Sequence, residues 1–137
     1  ERVREGVWDR PLEGDILHPR DSRGLFEADQ DASAGARVAA GEVHPTAPLP
    51  GKAGMASSAA CRHLEARALS GCDALIEALA GEGVDAARRA TRLPVNGLQW
   101  AWSEGDVLTL GFDLPTGAFA TTVLAELVET HTPVNEN

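Results

Sequence analysis

The sequence predicts an α+β fold, because strand-like and helix-like patterns occupy separate stretches of the chain. Residues 98–102 and 107–112 alternate apolar and polar side chains on either side of a short polar turn. That alternation is typical of an antiparallel hairpin. Residues 57–81 instead place apolar side chains three and four apart. This spacing indicates a helix with one buried face.

Composition limits the classes of function. The chain has 137 residues and a net charge of -9, with 43% hydrophobic and 24% charged residues. It can form one domain or parts of two, and it is too acidic to hold nucleic acid or an anionic membrane by overall charge. No apolar run approaches the roughly 20 residues of a membrane span, and residues 1–5 lack a signal-peptide pattern. The first residue is not Met, so we expect a processed or excised piece.

Turn residues divide the first 43 positions into short elements. Residues 1–6 resemble the end of a helix. A turn over 12–17 is predicted to enter a strand that Pro19 ends, and a second short strand is predicted at 25–28. Asp31 is a candidate N-cap for a weak helix over 32–40.

Residues 44–54 contain three prolines and two glycines, which predicts an irregular connection. Its Gly51-Lys52 pair resembles part of a phosphate-binding loop, but Thr46 stands at the upstream glycine position and Ala53 replaces the required Ser or Thr. Lys52 could still contact a phosphate, although a solvated lysine is the alternative.

The longest predicted helix, 57–81, has an apolar stripe that we interpret as core. Its members are Cys61, Leu64, Ala68, Cys72, Leu75 and Leu79. On one continuous helix Cys61 and Cys72 would lie about 16 Å apart, too far for a disulfide. We therefore expect free, buried thiols, as suits a reducing cytoplasm.

A second short helix is predicted over 85–92, with Arg88, Arg89 and Arg92 clustered on it. Guanidinium groups at this spacing could hold RNA phosphates. A solvated or ion-paired helix face is an equally good interpretation.

The hairpin at 98–112 leads into the stretch with most functional interest. A Pro-Thr-Gly turn at 115–117 ends the strand, and a helix is predicted over 118–129. We expect this helix to pack onto the hairpin through Ala120, Leu124, Leu127 and Val128. Such a junction brings backbone and small side chains to the mouth of a cleft.

Chemical motifs are otherwise sparse. The histidines at 18, 44, 63 and 131 are scattered, and neither zinc-ligand spacing nor a nucleophile or dinucleotide motif occurs. Glu13 and Asp15 flank a glycine, which we interpret as turn chemistry.

Five stretches, in order, resemble the C-terminal portion of the TruD family of tRNA pseudouridine synthases. They are Glu13-Gly14-Asp15, Ala47-Pro48-Leu49-Pro50-Gly51, Gly83-Val84-Asp85-Ala86-Ala87-Arg88-Arg89-Ala90, Leu98-Gln99-Trp100-Ala101-Trp102 and Leu114-Pro115-Thr116-Gly117-Ala118-Phe119-Ala120-Thr121. The last is the most specific.

This resemblance implies an isomerase that converts a uridine of the tRNA D-arm to pseudouridine, with no cofactor and no metal. It implies a mixed, mainly antiparallel sheet with packed helices. Residues 1–89 would be the latter part of the family's insertion domain, and 90–137 the last hairpin and helix of the catalytic domain. The implied partners are tRNA and the missing N-terminal half.

The resemblance also implies the site. The uridine pocket would be lined by Leu114, Pro115, Gly117, Phe119, Ala120 and Thr121. The RNA backbone would be contacted by Arg88, Arg89, Arg92 and Lys52.

Two departures from the family pattern matter. The family's catalytic Asp, in a Gly-x-Lys-Asp motif, has no counterpart here, so this chain alone is expected to be inactive. Ala125 stands where the family usually has Arg, which would help to keep the catalytic carboxylate ionised. A non-catalytic RNA-binding or scaffold module of the same origin is therefore the alternative function, and an unrelated acidic α+β protein is a third.

Overall fold

The computed structural model describes residues 1–20, 22–54 and 56–129. The chain forms two compact units, Glu1–Arg92 and a second one that begins at Leu93. The assignment of 1–89 and 90–137 to an insertion domain and a catalytic domain stays a prediction. No described helix is long and apolar enough to cross a membrane.

The first unit is built on a four-stranded antiparallel sheet. Its strands are β1 (Ile16–Pro19), β2 (Phe26–Glu27), β3 (Val43–Leu49) and β4 (Ala87–Ala90), in the order β2-β1-β3-β4. Its helices are α1 (Ala34–Ala39), α2 (Ala59–Ala68) and α3 (Asp73–Gly81). The α+β class, the first two strands and α1 agree with the sequence-based predictions, whereas residues 1–6 form turns rather than a helix.

The apolar core of this unit lies between the sheet and α1. It consists of Leu17, Ala28, Ala34, Val38 and Val43, with Phe26 packed against it. Leu17, Phe26 and Val43 come from one strand each, and Ala34 and Val38 lie four residues apart on one face of α1.

The prediction of an irregular connection over 44–54 is wrong for its first part, because β3 is an inner strand. Pro45 pairs with Leu17, and Pro48 pairs with Arg88. A proline lacks the N–H that a sheet uses, but its carbonyl still accepts: Thr91 N donates to Pro45 O at 2.9 Å. The prolines therefore weaken the strand without preventing it.

The predicted single helix over 57–81 is also wrong. It is interrupted between α2 and α3, where Gly71 has a φ of +82°. Glycine adopts this left-handed conformation at low cost, so the chain can turn there. The apolar stripe is split as a result: Cys61 and Leu64 are buried, whereas Leu75 is 62% exposed.

The predicted helix over 85–92 is a strand instead. In β4, Ala90 pairs with Thr46 and Arg89 pairs with Ala47. Alanine and arginine favour helices, but backbone pairing with β3 outweighs that preference. Arg88 and Arg89 consequently point to opposite faces of the sheet.

The second unit contains the predicted hairpin, β5 (Asn96–Ser103) and β6 (Val107–Asp113), followed by α4 (Ala120–Leu127). Trp100 pairs with Leu110, and Trp102 pairs with Leu108. Paired residues share a sheet face, so these apolar side chains of both strands form one face. Trp100 and Trp102 are 66% and 63% exposed on it.

Helix α4 is shorter than the predicted 118–129, and its buried residue is Val123. Leu124 is half-buried, whereas Ala120, Leu127 and Val128 are exposed. The prediction that these three pack on the hairpin is therefore wrong. The predicted polar tail from Thr130 lies outside the described residues.

The turn before β1 packs closely against the start of α2. Gly14 has a φ of +74°, its N–H donates to Asp29 Oδ2 at 3.0 Å, and its carbonyl accepts from Ser58 N at 3.0 Å. A Cβ atom at Gly14 would lie 2.2 Å from the backbone oxygen of Ser58. Only glycine fits both the conformation and the space.

Gly14→Ala should therefore lower the free energy of unfolding by about 2 kcal/mol or more, measured by urea denaturation. Gly35→Ala is the matched control, since Gly35 lies inside α1 and a Cβ there meets nothing within 4 Å. It should raise stability by about 0.5–1 kcal/mol. Equal effects of the two substitutions would contradict this account of Gly14.

Candidate functional site

A chain of buried polar side chains crosses the first unit on the α2 side of the sheet. Its members are Arg2, Asp15, Cys61, Glu65, Arg88 and Thr46. They come from the N-terminal turn, the entry to β1, helix α2 and the strands β3 and β4. We call this set the buried charge chain.

One end of the buried charge chain is an ion pair between Arg2 and Asp15. Arg2 Nη2 donates to Asp15 Oδ1 at 2.7 Å, and the two side chains are 7% and 0% exposed. The other carboxylate oxygen accepts from Leu12 N at 3.2 Å. Asp15 was interpreted from the sequence as ordinary turn chemistry, and Arg2 was not singled out. The position of Asp15 directly before a buried apolar strand was the available signal.

The other end is the pair of Arg88 and Glu65, whose side chains are 3% and 11% exposed. Arg88 Nε also donates to Thr46 Oγ1 at 2.7 Å, and Ser57 Oγ donates to Glu65 Oε2 at 2.5 Å. Thr46 Oγ1 in turn donates to Ile16 O at 2.7 Å. The guanidinium of Arg88 therefore bonds to buried groups inside the first unit.

Cys61 lies between the two ion pairs. Arg2 Nη2 donates to its Sγ at 3.2 Å, and Glu65 Oε1 lies 3.4 Å from that sulfur. Burial, followed by the negative charges of Asp15 and Glu65, raises the pKa of the Cys61 thiol to about 12. A thiol held protonated is a poor nucleophile. Both cysteines are free, as predicted, although Cys72 is only half-buried.

The other predicted RNA-binding residues have different surroundings. Arg89 and Lys52 are exposed. Arg92 Nη2 donates to the carbonyls of Val38 and Val43, at 2.8 and 3.0 Å. RNA contact by any of these residues stays a prediction.

The Gly51-Lys52 pair has a packing explanation. Lys52 N donates to Val84 O at 2.7 Å, and a Cβ at Gly51 would lie 2.5 Å from Ala86 N. The glycine thus allows close contact with the segment before β4. Beside it lies a groove of about 370 Å³, bounded by residues 48–51, 53–54 and 56–57, by one face of α2 and by Leu69, Ile76 and 86–88.

The predicted uridine-pocket residues form an open surface in the second unit. Gly117 has a φ of +88°, and Ala118 N donates to Pro115 O at 3.1 Å, so the predicted turn is present. Phe119 precedes α4 and is 71% exposed. Leu114 is half-buried, and Pro115, Ala120 and Thr121 are exposed. These residues do not enclose a cavity by themselves.

A basic region lies at the far end of β1 and β3. His44 is 6% exposed, and neither of its ring nitrogens has a hydrogen-bond partner among the described residues. It pairs with His18 across the strands. Burial, and then the charges of Arg92, Arg20 and His18, lower the pKa of His44 from its ordinary value of 6.5. In residues 1–20, 22–54 and 56–129, no three His, Cys, Asp or Glu side chains are grouped to hold a metal ion.

Comparison with known proteins identifies the family. The model of the family described as tRNA pseudouridine synthase D (TruD) matches residues 1–127. The chain is 45% identical over 130 residues to tRNA pseudouridine synthase D of Pseudomonas aeruginosa strain LESB58, covering 94% of this chain and 36% of that protein. The protein of the same name from Azotobacter vinelandii is 42% identical over 130 residues, with coverages of 94% and 37%.

A solved structure agrees with the sequence comparisons. The crystal structure of the putative tRNA pseudouridine synthase D from Methanosarcina mazei matches with a TM-score of 0.68 and 26% identity, over 91% of this chain and 33% of that one. The fold is therefore that of a pseudouridine synthase of this type. The chain belongs to the TruD family, and it spans about a third of the length of these relatives.

Replacement of Arg2 tests the buried charge chain. Arg2→Met leaves the Asp15 carboxylate buried without its counter-ion, so the free energy of unfolding should fall by about 3–5 kcal/mol. Arg4→Met is the control, because the side chain of Arg4 is 78% exposed in its pair with Glu1. It should cost less than about 1 kcal/mol in the same urea titration. Similar losses of unfolding free energy in both variants would show that the Arg2–Asp15 pair is not what stabilises the unit.

The pH dependence of stability tests His44. The unfolded chain takes up a proton as the pH falls below about 6.5, whereas the folded protein keeps His44 neutral. Stability from this group is therefore complete above pH 6.5 and is lost as the pH falls towards the lower, folded-state pKa.

His44→Gln should make the loss of stability between pH 7 and 5 shallower, as followed by thermal unfolding. His63→Gln, which alters an exposed histidine of α2, should leave the slope unchanged. An unaltered slope in the first variant would mean that His44 does not titrate differently on folding.

Proposed function

We propose that this chain acts as one part of a tRNA pseudouridine synthase that isomerises a D-arm uridine to pseudouridine without a cofactor. The rest of the protein supplies the catalytic Asp. The match to the TruD family over residues 1–127, with relatives named tRNA pseudouridine synthase D, carries this proposal. The chain spans 36% of the length of the Pseudomonas aeruginosa relative, which leaves room for the remainder of a catalytic domain.

The apolar face of the hairpin supports the proposal that another part of the protein packs against it. An isolated two-stranded sheet is marginally stable in water, because it cannot bury an apolar face. On this face Leu98, Trp100 and Trp102 are all at least half exposed. We propose that the remainder of the catalytic domain covers this face, and that the uncovered chain tends to associate.

The turn at 114–117 and the start of α4 are the proposed wall of the uridine pocket. Phe119 presents a large exposed ring, which can stack on a nucleobase. Gly117 has a left-handed conformation that favours glycine. Because glycine has no side chain, the turn leaves space where the base would approach. The pocket is completed by residues outside this chain.

For the RNA backbone, the burial pattern favours two of the four proposed residues. Arg89 and Lys52 are exposed and can reach phosphates directly. Arg88, held by Glu65, instead orients β4 and so presents Arg89 on the opposite face of the sheet. We therefore propose that Arg88 positions β4 and does not itself contact the RNA.

A non-catalytic RNA-binding or scaffold module is the second candidate, and Ala125 favours it. This residue lies on α4 and is exposed, so an arginine there would have space to reach a catalytic carboxylate. Its absence removes one charge that would keep that carboxylate ionised.

A chimera separates the two functions. The 130 matched residues of the Pseudomonas aeruginosa relative are replaced by this chain, and pseudouridine in D-arm substrate tRNA is measured by mass spectrometry. The chimera should form pseudouridine, whereas this chain alone and the relative with the segment deleted should not. A folded chimera that binds tRNA without forming pseudouridine would favour the scaffold module.

Two substitutions in the chimera test the site. Phe119→Ala should reduce turnover by about tenfold or more, through loss of base stacking of about 1–3 kcal/mol. Leu75→Ala removes another exposed apolar side chain, from α3 of the first unit, and should have no effect. Ala125→Arg should raise turnover if the charge matters, and an unchanged rate would remove Ala125 as an argument for the second candidate.

A further inference from the structure

The groove beside Gly51 lies within the first unit, between α2, the end of β3 and the segment that enters β4. Its volume is about 370 Å³. Most of its wall is apolar, and the large apolar side chains in it belong to Pro48, Leu49, Pro50, Leu69 and Ile76. Leu49 is 44% exposed, and the other four are half-buried. We call this surface the α2 groove.

The polar side chains in the wall of the α2 groove, with one exception, bond to one another. Ser57 Oγ donates to Glu65 Oε2 at 2.5 Å, and Arg88 pairs with the same carboxylate. The exception is Arg62, which is exposed and forms no ion pair within the described part of the chain. Sites for small molecules and nucleotides place several polar or basic groups around the ligand. One arginine does not supply them, so the α2 groove suits apolar side chains.

Helix α3, which contributes Ile76 to the α2 groove, is packed too sparsely to be stable by itself. It has nine residues, Asp73–Gly81, and none of them is buried. Helices shorter than about 12–15 residues are marginal in water, and in proteins they are stabilised mainly by packing an apolar face. Ile76 and Leu79 are only half-buried on the described chain. An additional apolar element is therefore needed to cover this helix.

The length of the relatives favours one source for this element. The chain spans 36% of the Pseudomonas aeruginosa relative, so nearly two-thirds of that protein lies outside the match. A second copy of this chain is less suitable. A symmetric dimer centred here would place the α2 groove against its own copy, and two concave surfaces do not fill each other. The part of the protein outside this chain can instead supply a protruding apolar face.

We propose that apolar side chains from the part of the protein outside this chain fill the α2 groove and complete the packing of α3. The contact buries Leu49 and Ile76, which the first unit leaves accessible. Removal of such apolar surface from water stabilises the contact. The proposal rests on the proposed assembly with the rest of a synthase, but it involves none of the residues of the proposed uridine pocket.

Hydrogen–deuterium exchange, followed by mass spectrometry, tests the proposal in this chain alone and in the chimera. Amides of α3 should exchange about tenfold more slowly in the chimera, because a covered helix opens less often. Amides of α1 are the internal reference, since Ala34 and Val38 are already buried in the chain alone. The exchange of α1 should change much less than that of α3.

Two substitutions on α2 of the chimera make the assignment specific. Ala66 and Ala68 are both exposed in this chain, but of the two only Ala66 lines the α2 groove. Ala66→Lys introduces an ammonium group into the groove beside Arg62, and covering that group would be unfavourable. The variant should therefore lose the roughly tenfold protection of α3. Ala68→Lys makes the same change two residues away and should retain the protection, since lysine is also a good helix former.

Protection of α3 in the chimera that Ala66→Lys removes and Ala68→Lys retains supports the proposal, whether or not the chimera forms pseudouridine. An active chimera in which α3 exchanges as fast as in the chain alone overturns the proposal and leaves the proposed function intact. Equal losses in the two variants also overturn it. Protection that rises with the concentration of the chain alone assigns the α2 groove to a second copy instead. If the chain alone precipitates, the two variants of the chimera still decide.

Discussion

The first unit depends on the buried ion pair between Arg2 and Asp15. Asp15 is fully buried at the entry to β1, so without Arg2 its charge would be strongly unfavourable there. This pair fixes the N-terminal turn against the sheet, and through Cys61 it meets the pair of Glu65 and Arg88. The N-terminal turn, the entry to β1, helix α2 and strand β4 are thereby fixed in their positions relative to one another. Such a chain favours a single arrangement, because any shift would leave a charge without its partner.

The same organisation explains the division of labour among the arginines. Clustering in sequence suggested one RNA-binding surface, but β4 places neighbouring side chains on opposite faces. Arg88 forms a buried ion pair with Glu65, and Arg89 is exposed. Arg92 is bonded to the carbonyls at the end of α1 and the start of β3. A cluster of like residues thus contains structural and functional members that only the pairing of strands can separate.

The hairpin, the turn at 115–117 and α4 could be predicted because their signals are local: strict alternation, a glycine at a positive φ and a short apolar run. The helix broken at Gly71 and the strand through Pro45 and Pro48 could not. In the strand, pairing with β1 and β4 outweighs the low strand preference of proline. In the helix, a single glycine inside a helical pattern is compatible with either a continuous or an interrupted helix. Among site residues, the turn before Phe119 was predictable. The burial of Asp15 and His44 was not, since partners from strands far apart in the sequence create it.

The exposed hairpin face also gives the protein its own spectroscopic reporter. The chain has three tryptophans and no tyrosine, and Trp100 and Trp102 both lie on that face. Their indoles are mostly exposed, so two of the three tryptophans of the chain report on this surface. Any molecule that seats there, whether the rest of a catalytic domain or a second copy, would transfer these rings to an apolar medium and shift the emission to shorter wavelength. Assembly can therefore be followed without a label.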